Sequence, residues 1–179
     1  VNHGLFKLKK RPQWYTVTNR SRTYVKKILE KISGEIFKNY KVNKVTRSDD
    51  NVRISIGNEY LDYDHIILAS HADQSLNLLD NPSSKEKEIL GKFTYVSNIA
   101  FLHTDKNLMP KRKEAWSSWN SITKDNNTCV TYWLNKLQNL KTDVDYFLTL
   151  NPVENIPESK IIKKINFTHP YFNKENINL

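Results

Sequence analysis

The 179-residue chain holds one cysteine, one methionine, four glycines and six prolines. Each scarcity removes a class of chemistry. A lone Cys129 forms no internal disulfide and supplies no thiolate framework for a metal. Four glycines (Gly4, Gly34, Gly57 and Gly91) cannot build a phosphate-cradling loop, which needs several backbone positions that only glycine tolerates. No apolar run approaches the ~20 residues of a membrane-spanning helix, and no signal peptide opens the chain. The five histidines, His3, His65, His71, His103 and His169, include no pair at the spacing of a helical metal site, so no metal is expected. No Gly-x-Ser-x-Gly elbow offers a serine nucleophile. Cys129 lies in an apolar strand, where an inert buried thiol is the ordinary case.

What is present suits a folded protein. An apolar fraction of 38% and an aromatic fraction of 11% exceed what disordered chains carry. The length suits one domain or a large piece of a bigger protein, with enough chain for a real core. The net charge of +9 invites a nucleic-acid reading, but its composition argues against one. Twenty-two lysines and only six arginines are spread along the chain, a balance that an AT-rich coding sequence produces. The short basic runs at 7–11, 111–113 and 160–164 read as solvated faces. No nucleic-acid partner is expected. A weak peripheral attraction to an anionic membrane is favoured over a nucleic-acid role as a use of that charge, and the cytoplasm is the default compartment.

Periodicity organises the chain. Ser21–Ser33 carries Tyr24, Val25, Ile28, Leu29 and Ile32 at helical spacing and stops at Gly34. Tyr40–Thr46, Val52–Ile56 and Glu59–Tyr63 read as an antiparallel meander with turns at 48–51 and 57–58. His65–Ala69 is a continuous apolar run, the kind found inside a parallel sheet. Asp73–Leu79 is a short helix ended by Asn81-Pro82, and Ser83-Ser-Lys-Glu86 is a capping box opening a helix to Leu90. Tyr95–Thr104, Ala115–Ile122, Cys129–Leu137, Tyr146–Leu150 and Lys160–Thr168 then follow as strands of an antiparallel sheet. The expected organisation is a substrate-domain segment over 1–20, part of a cofactor-binding domain over 21–91 and a substrate domain over 92–179.

Aromatic residues mark a candidate cavity. Trp116 and Trp119, three apart on one strand, point to opposite faces, as do the neighbours Tyr132 and Trp133. One of each pair faces the core, and the other faces solvent, a neighbouring domain or an apolar cavity. Core packing and substrate lining both fit this pattern.

The stretch "DYDHIILASHADQ" (Asp62 to Gln74) ends an apolar strand in small residues. Together with "NHGLFKLKKRPQWYTVTNRSRTYV" (Asn2 to Val25), "NIAFLHTDKNLMPKRKEAWSSWN" (Asn98 to Asn120), "TYWLNKLQ" (Thr131 to Gln138), "FLTLNP" and "FTHPYF" (Phe167 to Phe172), it resembles one family. That family is the bacterial branch of the flavin-containing amine oxidase superfamily known as predicted NAD/FAD-binding proteins. The resemblance covers nearly the whole chain.

It implies an FAD-dependent oxidoreductase transferring hydride from an organic, apolar or lipid-like small-molecule substrate to flavin. The implied fold is α/β plus α+β: a partial FAD/NAD(P)-binding domain (helix, antiparallel meander, buried strand) with an antiparallel-sheet substrate domain. The family's Gly-x-Gly-x-x-Gly loop would precede this span and its C-terminal flavin-contacting segment would follow, so the isolated span is expected to be inactive. Val42 matches the position whose backbone meets the adenine ring, and Ala69, Ser70 and His71 match the strand end near the cofactor. Trp14, Trp116, Trp119, Tyr132 and Trp133 are the candidates for the substrate side. No catalytic base is identifiable.

Two departures stand out. Asn19-Arg20-Ser21 replaces the family's Gly-Gly-Ser; in a left-handed conformation asparagine is tolerated, whereas arginine costs about 1–2 kcal/mol. Ala100 stands where amine oxidases place a lysine near the flavin. The rival reading is a cofactor-free binding or scaffold module of the same fold.

Overall fold

In the computed structural model, which describes residues 13, 15–174, 176 and 177, the elements run α1 (Ser21–Leu29), β1 (Lys44–Arg47), β2 (Val52–Ile56), β3 (Glu59–Tyr63), α2 (Ala72–Leu78), α3 (Ser84–Gly91), β4 (Thr94–His103), β5 (Trp119–Lys124), β6 (Asn127–Trp133), α4 (Leu134–Leu137), β7 (Phe147–Leu150) and β8 (Ile161–Tyr171). Two sheets form, ordered β1-β2-β3 and β5-β6-β7-β4-β8. The result is a mixed α and β fold with two antiparallel sheets. Among the described residues no helix is long and apolar enough to cross a membrane.

The chain divides into two compact units. The first comprises the described residues up to Glu35 together with Ile99–Ile165, and the second comprises Ile36–Asn98 together with those from Asn166 onward. In the second unit the meander sets Val45 opposite Ile54, and Ile54 opposite Leu61. Val45 is sealed from solvent and anchors that face. The first turn closes through the Ser48 hydroxyl on the Asn51 side-chain oxygen at 2.8 Å. The second turn uses Gly57 at φ 59°, a conformation that suits glycine.

The capping box is present: the Glu86 amide donates to Ser83 Oγ, and the Ser83 amide donates to Glu86 Oε2. Glu86 also receives both terminal nitrogens of Arg47, at 2.6 and 2.9 Å. The end of β1 is thereby tied to the start of α3. These contacts hold the Glu86 carboxyl down to about 2, the Arg47 guanidinium first and the Ser83 backbone next.

In the first unit β5 and β6 form a hairpin around Asp125 and Asn126, both at positive φ, as a tight two-residue turn requires. β6 pairs with β7, and β7 with β4, all antiparallel.

Four expected strands and the first helix differ from the observed ones: the strand expected over Tyr40–Thr46 begins only at Lys44, and the helix expected over Ser21–Ser33 ends at Leu29. The strand predicted over Cys129–Leu137 ends at Trp133, and Leu134–Leu137 curl into α4. Asn135 explains the turn, since its amide donates to the Val144 carbonyl and accepts from the Tyr146 amide. The strand predicted over Ala115–Ile122 starts only at Trp119; before it, Lys113–Ala115 forms a 3₁₀ turn. Trp116 is held in that loop by its indole N–H, which donates to the Pro110 carbonyl at 2.7 Å. Finally, His65–Ala69 joins neither sheet. The buried parallel strand expected there is not formed, because no described strand runs beside it.

Candidate functional site

Strand register sorts the five-stranded sheet into two faces. Trp119 is opposite Tyr132, Tyr132 opposite Leu148, and Leu148 opposite Leu102. Cross-strand partners share a face, so these four form one row. The next row on that face is Ser121, Val130, Leu150 and Ala100. This face is apolar but incompletely covered. Trp119 is 61% exposed, and Tyr132, Leu148, Leu102, Val130 and Leu150 are half-buried.

The opposite face is sealed. Trp133, Phe147 and His103 form one row, and Asn120, Thr131, Thr149 and Phe101 form the next. Phe147, His103, Thr131 and Thr149 are fully buried. Leu108 and Met109 cover this face from the loop after β4, with Ile156 from beyond β7. Trp116 meets Trp133 and Phe147 edge-on, with ring centres 5.2 and 5.6 Å apart. Asn120 fixes the approach to β5: its carbonyl accepts from the Ser117 amide, and its amide donates to the Ser117 carbonyl.

A polar chain runs through this sealed layer. The Asp105 amide donates to His103 Nδ1 at 3.1 Å, which leaves Nε2 of the neutral ring as the protonated nitrogen. Nε2–H then donates to Thr149 Oγ1 at 2.8 Å, and the Thr149 and Thr131 hydroxyls hydrogen-bond to each other at 2.8 Å. Burial pushes the His103 pKa down, partly opposed by the Asp105 charge. Asp105 is itself buried and accepts from Lys160 Nζ at 2.7 Å. The sequence reading missed this network. The available signal was threonine at inward positions of two neighbouring strands, a residue type that is buried only when its hydroxyl is satisfied.

The predicted substrate residues therefore separate. Trp119 and Tyr132 lie together on the open face. Trp116 and Trp133 pack together on the sealed side, where the Trp133 indole donates to Asp145 at 3.0 Å. Trp14 lies outside the described residues.

The predicted cofactor residues all lie in the second unit. Val42 is half-buried two residues before β1. Ala69 and Ser70 are exposed, with the Ser70 hydroxyl 2.8 Å from that of Ser75. His71 is the N-cap of α2 and stacks on Tyr95, centroids 4.5 Å apart and planes at 12°. Tyr95 in turn accepts from the Ala72 amide through its hydroxyl at 2.8 Å. A cleft of about 440 Å³ lies beside this segment, lined by His65, Ile66, Leu68 and Ser75, and by Val52, Leu79 and Leu90 from the surrounding elements.

The loop before α1 keeps an unusual backbone. Asn19 stands at φ 61°, and Arg20 at φ 69° and ψ −171°, a region that almost only glycine occupies. The Arg20 amide donates to the Val17 carbonyl at 2.9 Å, which helps hold that geometry.

The architecture is thus that of a mixed α and β protein whose larger sheet has one sealed and one open apolar face. A solved structure has a similar fold: a CLA-producing fatty acid isomerase from P. acnes, at a TM-score of 0.55 and 13% identity, over 82% of this chain. The chain spans only 39% of that enzyme's length. Neither a family model nor a curated protein matches the chain.

Proposed function

We propose that this chain is part of an FAD-dependent, amine-oxidase-like oxidoreductase acting on an apolar organic substrate. The observation that carries the reading is the open sheet face, where Trp119, Tyr132, Leu148 and Leu102 stand in one apolar row without complete cover. Soluble proteins rarely leave such a surface without a use. The shared fold with a fatty acid isomerase supports a substrate with a long hydrocarbon portion.

The residues present are compatible with a flat cofactor in the second unit. Ala69 and Ser70 are small and exposed, so close approach to their backbone meets no bulky side chain. Val42, Ala69, Ser70 and His71 would hold part of the cofactor, and flavin, when bound, supplies the hydride acceptor. His71 is engaged as a helix cap and in stacking, which suits a positioning role. In the first unit the open face would orient the substrate and exclude water; Trp119 and Tyr132 present flat apolar surface, and Leu148 and Leu102 extend it.

The test titrates the chain with oleate below its micelle concentration and follows tryptophan emission. A blue shift that is lost in Trp119→Phe is expected, because Trp119 is the exposed tryptophan of the open face. The flavin half is read on the polypeptide translated with its flanking coding sequence, which should retain FAD through gel filtration. An emission spectrum indifferent to oleate removes the substrate assignment, and a colourless longer polypeptide removes the cofactor.

A further inference from the structure

We propose that α1 is an interfacial helix, and that its exposed apolar stripe docks on an anionic lipid bilayer. No residue of α1 is buried. Tyr24, Val25 and Ile28 are exposed by 43% to 57%, and Ile32, just past the helix, by 48%. At the helical period Tyr24, Val25, Ile28 and Leu29 share one stripe. The same period sets Arg22 and Lys26 along one edge of that stripe and Lys27 and Lys31 along the other. Thr23 and Glu30 fall on the opposite side. All four basic side chains are exposed. Lys31 still belongs to the helical path, since its amide donates to the Ile28 carbonyl at 3.0 Å. Lys26 lies 3.9 Å from Glu30, an exposed pair of little strength.

An apolar stripe with cations on both edges matches the layers of a membrane surface. The stripe enters the hydrocarbon boundary, and the lysine stems reach back so that their ammonium groups lie among the headgroup phosphates. Tyr24 stands at the margin of the stripe, where its ring can enter the apolar layer while its hydroxyl stays wet. The helix is neither long nor apolar enough to cross a bilayer, so it would lie in the plane of the interface. A second copy of this chain is a poor occupant, because two such stripes face to face would set basic rows against basic rows. An acidic groove on a soluble protein could take a basic amphipathic helix, but the net charge of +9 and an uncovered tyrosine at the stripe margin favour the lipid surface. Docking through α1 asks nothing of flavin chemistry, so it stands or falls separately from the function proposed above.

Vesicle flotation tests the proposal, on the 179-residue chain and on the polypeptide translated with its flanking coding sequence. Both should float with phosphatidylcholine vesicles containing about one-third phosphatidylserine, and bind at least about 10-fold more weakly to phosphatidylcholine alone. Lys27→Gln combined with Lys31→Gln should weaken binding about 25-fold, at about 5-fold per basic side chain. Ile28→Ser should abolish flotation and leave the circular dichroism spectrum unchanged, because the residue is exposed. An environment-sensitive dye on Ile28→Cys, which the buried Cys129 should not take up, should shift its emission to the blue on the anionic vesicles. Flotation indifferent to Ile28→Ser would mark adsorption through diffuse positive charge and overturn the proposal. Flotation of the short chain that disappears in the longer polypeptide would overturn it as well, since the flanking residues would then cover the stripe. Retention on an immobilised acidic peptide without flotation would mark a protein partner and do the same.

Discussion

In the first unit the most deeply sealed side chains include two threonines, a histidine and an aspartate; in the second, an isoleucine within an apolar run stands 92% exposed. Side-chain polarity alone would place them the other way round. Burial of Thr131, Thr149 and His103 is sustained because each polar atom in the row finds a partner at 2.8 to 3.1 Å. An unpaired group in the same place would cost the full desolvation penalty. Ile67 lies open for the complementary reason. Its neighbours Ile66 and Leu68 find a surface to lie against, but nothing on the outer parity offers one. Hydrogen-bond satisfaction explains how the threonines and the histidine can be sealed, while buried Asp105 holds an ion pair through Oδ1 and has no partner on Oδ2 among the described residues; at the margin, an apolar segment stands open.

The largest expected effect tests the sealed side. Phe147 is fully buried between Trp116 and His103, so Phe147→Ala should lower stability by about 3–5 kcal/mol. Urea denaturation should show an earlier midpoint with an unchanged slope. A loss below about 1 kcal/mol would mean that this layer is not a core, and the comparison would fail. Thr149→Val comes next. It keeps the shape but removes the acceptor of His103 Nε2–H and the hydroxyl partner of Thr131. About 1–3 kcal/mol is expected, and adding Thr131→Val should cost less than it does alone, because the chain is already broken.

Much of this layout was legible beforehand. Alternation located β4, β7 and β8 to within a few residues, the capping box located α3, and two-residue periodicity predicted that Tyr132 and Trp133 would part to opposite faces, while for Trp116 and Trp119 it assumed a shared strand that does not form. What escaped was non-local. The ends of β5 and β6 are set by Trp116 reaching Pro110 and by Asn135 reaching residues 144 and 146, contacts that no local window contains. The His103–Thr149–Thr131 chain joins three strands, and its distances depend on register. His65–Ala69 reads as a strand from its own residues, but a strand exists only with a partner, and no strand partner stands among the described residues. Of the candidate site, the placement of Trp119 and Tyr132 on one face follows from hairpin register, which requires knowing where the turn falls.

Acid separates the two units further. The folded state depresses the His103 pKa, so below the ordinary histidine value of about 6.5 the unfolded chain binds a proton that the folded chain does not yet take up. The unfolded state then holds more protons, and stability falls as pH falls, from about 6.5 until the folded-state pKa is passed. Glu86 also has a depressed folded value, so its contribution is present above its ordinary 4.5 and is lost between there and about 2. That pair is solvent-exposed and screened, so its share should be the smaller. Denaturation midpoints measured across these windows should show a first decline that His103→Gln removes and a second, weaker one that Glu86→Gln removes. A single decline insensitive to His103→Gln would mean that the histidine is not held neutral inside the sheet layer.

The smallest effect discriminates most. In the isolated chain Ile67→Ser replaces a solvent-exposed side chain, so stability should change by no more than about 0.5 kcal/mol, and solubility should rise because an apolar group leaves the surface. If Ile67 were an ordinary core residue, the same change would cost several times as much. Carried in the polypeptide translated with its flanking coding sequence, Ile67→Ser should cost about 2–5 kcal/mol, as truncation of a buried isoleucine does, because the flanking residues would enclose the side chain. The position should thus be indifferent in one context and demanding in the other, while Phe147→Ala should be costly in both. Equal responses of Ile67 in the two polypeptides would mean that its exposure belongs to the finished protein, and the contrast between the sealed sheet and the open segment would then be permanent.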